Sequence, residues 1–86
     1  TIAHGVLVTI CAHETRRHTA VSKLFICSAE ERKESLAFHL EMSMYYGTCV
    51  PEAAREIQEA VTEKVTEMTG ILVDEVRITI RTLDFK

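Results

Sequence analysis

One stretch of the chain, residues 46–80, constrains its fold more than any other, because its pattern predicts a turn, a helix, a glycine that ends the helix, and a strand. Pro51 suits the first turn of a helix, where its fixed φ fits and its missing N–H is not needed. Gly70 ends the pattern, since glycine adopts the left-handed helix cap without strain. The apolar residues between them recur at steps of three and four, which predicts one buried face made of Ala54, Ile57, Val61, Val65 and Met68.

Two segments alternate between apolar and polar residues with the period of a half-buried β-strand. The first segment covers residues 36–46. Its apolar residues alternate with a second set, as Leu36, Phe38, Leu40, Met42 and Met44 with Ala37, His39, Glu41, Ser43 and Tyr45. In the second segment, Val76, Ile78 and Ile80 alternate with Arg77, Thr79 and Arg81. Each segment is therefore predicted to bury one face and leave the other polar.

The first third of the chain is harder to interpret. Residues 2–17 contain the mostly β-branched run VLVTI, which favours a strand, but Ala3, Val6, Leu7, Ile10 and Cys11 would also share one helical face. Residues 19–27 are predicted to form a strand with Val21, Leu24 and Ile26 as its apolar positions. The charged segment SAEERKES, residues 28–35, has no apolar anchor and is predicted to be a loop or a loose helical turn.

Several of these motifs together resemble the alkaline shock protein family of bacterial envelope-stress proteins. The matching segments are YYG, VPEAAREIQEAV, EMTG and DEVRITI, which include Tyr46, Gly47, Pro51, Gln58, Thr69, Gly70, Val76 and Ile78. The family opens with a helix, so the resemblance favours the helix over the strand for residues 2–17. It also implies that Gly47, Pro51, Gln58 and Gly70 are structural positions. The chain departs from the family pattern at Ala20–Val21, where glycine–valine is usual, and in its short connector between the first two strands.

The predicted order is helix, strand, strand, helix, strand, which defines an α+β fold. The first two strands can pair as a hairpin, and the second helix would connect the second and third strands in parallel by a right-handed crossover. Both helices would then pack on one face of a three-stranded mixed sheet. With 86 residues, the chain (1–86) is predicted to be a single domain.

Composition and charge limit the classes of function that this chain is expected to have. Hydrophobic residues make up 47% of the chain and charged residues 27%, which is typical of a globular protein. No apolar run approaches the roughly 20 residues that span a bilayer, and no signal peptide is visible, so a cytoplasmic protein is expected. A net charge of −3 argues against nucleic acid as a partner, although a local basic patch at Arg16, Arg17 and Lys23, with His13 and His18, is available.

The residues that could carry chemistry form no recognised motif. Cys11, Cys27 and Cys49 cannot all pair within one chain and are expected to be reduced. Cys11 and His13, even with His4 and His18, lack the paired spacing of a structural zinc site. No cysteine–histidine pair is singled out by its spacing, and no glycine-rich phosphate loop is present. We therefore expect no enzyme activity, no catalytic residue, no metal and no cofactor.

The long helix also carries an acidic stripe. Its members are Glu52, Glu56, Glu59, Glu63 and Glu67. A solvated outer face, helped by Arg55 and Lys64, is the first interpretation. The alternative is a ridge that docks a basic segment of a partner or that faces away from an anionic membrane.

The second polar surface is the sheet face opposite the helices. It would carry His39, Glu41, Ser43, Tyr45, Arg77, Thr79 and Arg81. One interpretation is a solvated face with cross-strand Glu–Arg pairs. The other is an interface for self-association or for a partner, and its candidate residues are His39, Glu41, Tyr45, Arg77 and Arg81. Exposed edge strands offer a second route to assembly by strand addition.

The resemblance implies a non-enzymatic protein that works near the inner face of the membrane in envelope homeostasis and stress. It also implies self-association into homo-oligomers and docking to a small membrane-anchored protein. The alternative is a KH-like RNA-binding module, because KH folds share a similar element order. The GXXG loop by which KH domains clamp nucleotides does not occur in this sequence.

Overall fold

Five regular elements make up the chain in the computed structural model, which describes residues 2–86. They are α1 (His4–Arg16), β1 (Val21–Glu31), β2 (Ser35–Tyr45), α2 (Val50–Thr69) and β3 (Leu72–Asp84). The predicted order and the α+β class are confirmed, and residues 2–17 are resolved in favour of the helix.

The three strands form one sheet in the order β1-β2-β3, so β2 lies in the centre. β1 and β2 are antiparallel, as expected for a hairpin, and β2 and β3 are parallel, as expected for strands joined through a helix. The mixed sheet predicted from the sequence is therefore confirmed.

The core lies between the inner face of β2 and the two helices. The five alternating apolar residues predicted for this strand, from Leu36 to Met44, are all at most 2% exposed. Leu7 and Cys11 of α1 and Ile57, Val61 and Val65 of α2 cover them and are themselves at most 1% exposed. This buried layer supplies the main favourable term for folding.

The buried face of α2 differs from the prediction at both ends. Ala53 is buried in place of Ala54, and Met68 is 62% exposed. The buried residues Ala53, Ile57, Val61 and Val65 follow one another at steps of four, and Met68 lies beyond the last of them, in the final turn of the helix. Its side chain lies outside the core, in a groove beside α1 that Ile10 and Lys64 also line.

The buried face of α1 is also shifted from the prediction. Ala3 and Val6 are exposed, and the buried set is Leu7, Ile10, Cys11, Ala12 and Thr15. Thr15 is polar and fully buried, but its hydroxyl donates a hydrogen bond to the carbonyl oxygen of Cys11 over 2.8 Å. A buried hydroxyl with such an acceptor avoids most of the desolvation penalty.

The charged segment between the first two strands is not a loop, which corrects the prediction for residues 28–35. β1 continues to Glu31 and β2 begins at Ser35, so only residues 32–34 form the turn. Cross-strand pairing with β2 satisfies the backbone here, which local composition does not reveal. Arg32 then donates to Asp74 over 2.7 Å and to Glu75 over 3.0 Å, which ties the turn to β3.

β1 contains two irregularities that sequence periodicity did not indicate. The register with β2 skips one residue of β1 between Val21 and Lys23 and another between Leu24 and Ile26. Each skipped residue, Ser22 and Phe25, reverses the alternation of the strand. Ile26 therefore lies on the face away from the helices and is 37% exposed, although it was predicted to be an inner apolar position.

Candidate functional site

The sheet face opposite the helices, here called the open face, collects the polar residues that alternate with the core. The register aligns Ser28, His39 and Arg77 in one row and Ile26, Glu41 and Thr79 in the next. Because paired residues of neighbouring strands project to the same side, each row crosses all three strands. The structure thus brings the predicted candidates His39, Glu41 and Arg77 together on one surface.

Arg81 connects the three strands near the middle of the open face. Its Nε donates a hydrogen bond to Glu41 over 3.0 Å, and its guanidinium carbon lies 4.5 Å from the centre of the Phe25 ring. Arg81 remains 46% exposed and Glu41 22% exposed, so this is a surface ion pair supported by a cation–π contact. The cross-strand Glu–Arg pair expected from the sequence is present.

His39 and Arg77 border a shallow pocket of about 250 Å³ on the same face. Small side chains, those of Ser28 and Ala37, are among its lining residues, and Glu75 lies at its rim. The side chain of Arg77 is 68% exposed and comes no nearer than 3.8 Å to Glu75. Arg77 is therefore the most accessible cation of the candidate interface.

Ser43 is the exception among the predicted open-face residues, because it is fully buried. It shares a hydrogen bond of 2.7 Å with Thr82, whose hydroxyl in turn lies 3.1 Å from a carboxylate oxygen of Asp84. The other Asp84 oxygen accepts a hydrogen bond from Ser22 of β1. These four residues form a polar network that joins all three strands, and it has a structural role.

Tyr45 lies at the end of β2, and its surroundings are aromatic and cationic. The amine of Lys86 lies 5.2 Å from the centre of its ring. The neighbouring Tyr46 is 66% exposed and stacks on Phe85, with ring centres 4.9 Å apart. This end of the sheet therefore presents aromatic surface to solvent.

Sequence reasoning missed the two apolar members of the open face. Phe25 and Ile26 are 45% and 37% exposed, and both lie at the second irregularity of β1. In a regular strand Ile26 would share the inner face with Leu24, and it was predicted there. The run of three apolar residues from Leu24 to Ile26 was the available signal, because a regular alternating strand contains no such run.

The four predicted structural positions lie within α2 or close to one of its ends. Pro51 lies in the first turn of the helix, and Gly70 ends it in the left-handed conformation with φ of 75°. Gly47 also has a positive φ, of 96°, in the turn between β2 and α2. Gln58 donates a hydrogen bond to the backbone carbonyl oxygen of Val76 over 2.9 Å.

The acidic stripe of α2 lies on the solvent side of the helix, and all five of its glutamates are exposed. Three of them have basic neighbours: Glu59 lies near Arg55 (4.0 Å), Glu67 near Lys64 (3.8 Å) and Glu56 near His18 (2.8 Å). The first two contacts are the helical pairs expected for a solvated face. The third links α2 to the segment that follows α1.

The histidines and cysteines considered as metal ligands are dispersed. Across residues 2–86, no three His, Cys, Asp or Glu side chains are arranged to hold a metal ion. His13 lies 3.3 Å from Glu14, and His4 lies 3.7 Å from Glu31. Over the same residues, neither helix combines the length and the apolar character that crossing a bilayer requires.

This geometry defines the class of protein: a small α+β domain with two helices on one side of a three-stranded mixed sheet and an open polar face on the other. Solved structures share the fold. The C-terminal domain of the magnetosome protein MamB from Desulfamplus magnetovallimortis BW-1 is 14% identical, with a TM-score of 0.69 over 94% of this chain and 98% of that one. A MamM C-terminal domain in a copper form is 15% identical, with a TM-score of 0.65 over 93% and 98%.

The family is shown by the sequence itself. Residues 26–85 match the model of the alkaline shock protein 23 family, which has a cell envelope-related function. The chain belongs to this family, and the resemblance found in its motifs is confirmed. No curated protein sequence matches the chain. The KH-like alternative gains no support from these comparisons.

Proposed function

We propose that this domain is a non-enzymatic binding module of cell-envelope homeostasis or the stress response. It associates with further copies of itself and docks to a small membrane-anchored protein, on the cytoplasmic side of the membrane. Membership of a family with a cell envelope-related function supports the setting. The open face of the sheet supports the mode of action.

The single observation that carries the proposal is the composition of the open face. Exposed Phe25 and Ile26 lie beside Arg77 and Arg81, on a sheet face that neither helix covers. Aromatic residues and arginine are enriched at protein interfaces, where they account for much of the binding energy. A solvated face would need neither of the two apolar side chains.

A second copy of the chain is the occupant that the charges favour. The open face carries cations, Arg77 and Arg81, and anions, Glu41 and Glu75, within a few rows of the sheet. In a two-fold arrangement each patch meets its own copy, so a face with both signs can be self-complementary.

The test is light scattering of the purified protein over a range of concentrations. We expect a dimer or a growing oligomer for the native chain and a monomer for the double variant Arg77→Glu plus Arg81→Glu. The matched control is Lys33→Glu plus Arg55→Glu, which makes the same change in charge in the hairpin turn and on the outer side of α2. Circular dichroism verifies that each variant is folded.

Three outcomes would count against the proposal. A native chain that stays monomeric at all concentrations would remove self-association. Oligomers that survive in the Arg77/Arg81 variant would move the interface away from the open face. Even distribution of the native chain through the cytoplasm, with none at the envelope by fluorescence microscopy, would remove the docking to a membrane-anchored protein.

A further inference from the structure

Two of the three cysteines, Cys11 of α1 and Cys27 of β1, meet where the helix packs on the strand. Cys11 is fully buried in the core, and Cys27 packs against the same core from its margin. The sulfur of Cys27 lies 3.7 Å from the carbonyl oxygen of Val8, which precedes Cys11 by three residues and therefore lies on the same side of α1. Each of the two thiols shifts the pKa of the other, as expected for neighbouring sulfurs.

Cys27 is the accessible member of the pair. It is partly exposed and lines a surface groove of about 640 Å³ between α1 and β1. Three basic residues, His13, Arg16 and Arg17, line the same groove. A partly exposed thiol in electropositive surroundings is the environment of a reactive cysteine, since the thiolate is the nucleophile.

The contact between the two thiols gives them different acidities. This contact lowers the pKa of Cys27, and the charge of Arg16 lowers it further. The pKa of Cys11 is raised, first by the same contact and then by its burial. Cys27 is therefore the thiol that reacts first, and Cys11 is held as a protonated thiol beside it.

We propose that Cys27 and Cys11 form a peroxide-sensitive thiol pair, in which Cys27 is the attacked residue and Cys11 the resolving one. The thiolate of Cys27 attacks hydrogen peroxide, the O–O bond breaks, and Cys27 becomes a sulfenic acid with release of hydroxide. The sulfur of Cys11 then attacks the Cys27 sulfur. An S–S bond forms, and the sulfenic hydroxyl leaves with the Cys11 proton as water.

The product is a disulfide that covalently joins α1 to β1. Two thiols are oxidised, and one peroxide is reduced to two waters. A cross-link between these residues restricts the unfolded chain, so the oxidised domain should melt at a higher temperature than the reduced one. The oxidation state of the pair would thus control how firmly α1 is held on the sheet.

The experiment uses the full chain with Cys49→Ser, because Cys49 is exposed and would join separate molecules. The protein is treated with hydrogen peroxide, remaining thiols are alkylated, and the mass is measured. We expect the loss of two hydrogens, a Cys11–Cys27 linkage in the peptide map, and a rise in melting temperature that dithiothreitol reverses. With Cys11→Ser added, oxidation should stop at a sulfenic acid on Cys27 that dimedone traps.

The variant Arg16→Gln tests whether the positive charge of the groove makes Cys27 more reactive. We expect it to slow the oxidation of Cys27 by roughly two- to tenfold, since loss of the cation reduces the thiolate fraction. Arg17→Gln is the matched control and should leave the oxidation rate nearly unchanged, because Arg17 lines the same groove but its charge is paired with Glu14 at 3.3 Å. The proposal is overturned if Cys11 and Cys27 both remain fully alkylatable after a treatment that oxidises Cys49 in the native chain. It is also overturned if Cys27 proceeds to sulfinic acid while Cys11 is present.

Discussion

The side-chain amide of Gln58 donates a hydrogen bond to the backbone carbonyl oxygen of Val76 over 2.9 Å, and this contact joins the middle of α2 to β3. Val76 is buried, with 8% of its surface exposed. Apolar packing fixes the face of α2 that contacts the sheet, but it tolerates sliding along the helix axis. A directional hydrogen bond fixes the position of the helix along the strand.

We predict that Gln58→Leu lowers the free energy of unfolding by about 1 kcal/mol, because the Val76 carbonyl loses its side-chain donor. Gln58→Glu should cost more at neutral pH, since a carboxylate cannot donate and would face the carbonyl oxygen. Urea denaturation followed by circular dichroism measures both. Arg55→Leu, on the exposed side of the same helix, is the control. Equal stability of Gln58→Leu and Arg55→Leu would show that the contact contributes nothing.

The left-handed cap of α2 gives a second prediction. Gly70→Val should destabilise the domain by roughly 1–2 kcal/mol, because a β-branched side chain is strained at a φ of 75°. The cost is conformational, since a Cβ atom at Gly70 would meet nothing within 4 Å. Gly5 provides the comparison: it also has open space around it, but it lies in α1 and its φ is not positive.

Gly5→Ala should therefore leave the melting temperature unchanged or raise it slightly, because alanine favours the helix over glycine. A melting curve of Gly70→Val that matches the native one would contradict the role of Gly70 as a cap. Gly70→Asn should be milder than Gly70→Val, since asparagine tolerates the left-handed region better.

A third prediction compares the stability effects of shortening two strand leucines that differ in burial. Leu40 of β2 is fully buried, whereas Leu72 at the start of β3 is 66% exposed. Leu40→Ala should cost about 2–5 kcal/mol, through lost burial and the cavity that remains. Leu72→Ala should change stability by less than about 0.5 kcal/mol. Similar urea midpoints for the two variants would contradict the assignment of the inner face of β2.

Asp84 gives a prediction about pH. The hydroxyl of Ser22, with that of Thr82, holds the pKa of the Asp84 carboxyl below its usual range. A carboxyl whose pKa is lower in the folded than in the unfolded chain adds stability at neutral pH, and this contribution is lost as the pH falls below about 4. Asp84→Asn should therefore reduce stability at neutral pH and flatten the decline in acid.

The measurement is the urea midpoint of the native chain and of Asp84→Asn from about pH 7 down to about pH 3. Glu59→Gln, on the exposed side of α2, removes one carboxylate outside the network and serves as the control. If the native and Asp84→Asn curves stay parallel down to the lowest pH, the network does not depend on the charge of Asp84.

The sequence was sufficient for the element order, the mixed sheet and the inner face of β2, because strong periodicity determines each of them. The five apolar residues from Leu36 to Met44 alternate without interruption, and all five are buried. The helical stop at Gly70 was likewise visible, since few residues adopt its conformation. In these cases local chemistry and tertiary packing favour the same structure.

The errors occurred where tertiary pairing overrides local pattern. Residues 28–31 belong to a charged segment without an apolar anchor, yet they form strand because β2 supplies their backbone partners. The open face was predicted only in part for a related reason: the irregularities at Ser22 and Phe25 change which side chains point outward. The Cys11–Cys27 pair could not be predicted, because the proximity of two residues in different elements depends on how α1 packs on β1.

The two irregularities of β1 also affect the tendency of the molecule to aggregate through its edge strand. β1 is an outer strand of the sheet, and an unprotected outer strand can template the pairing of another chain into an aggregate. Ser22 and Phe25 interrupt the regular spacing of backbone donors and acceptors twice within four residues, so an incoming regular strand cannot match them in continuous register. The same feature that places Phe25 and Ile26 at the open face therefore makes this edge a poor seed for fibrils.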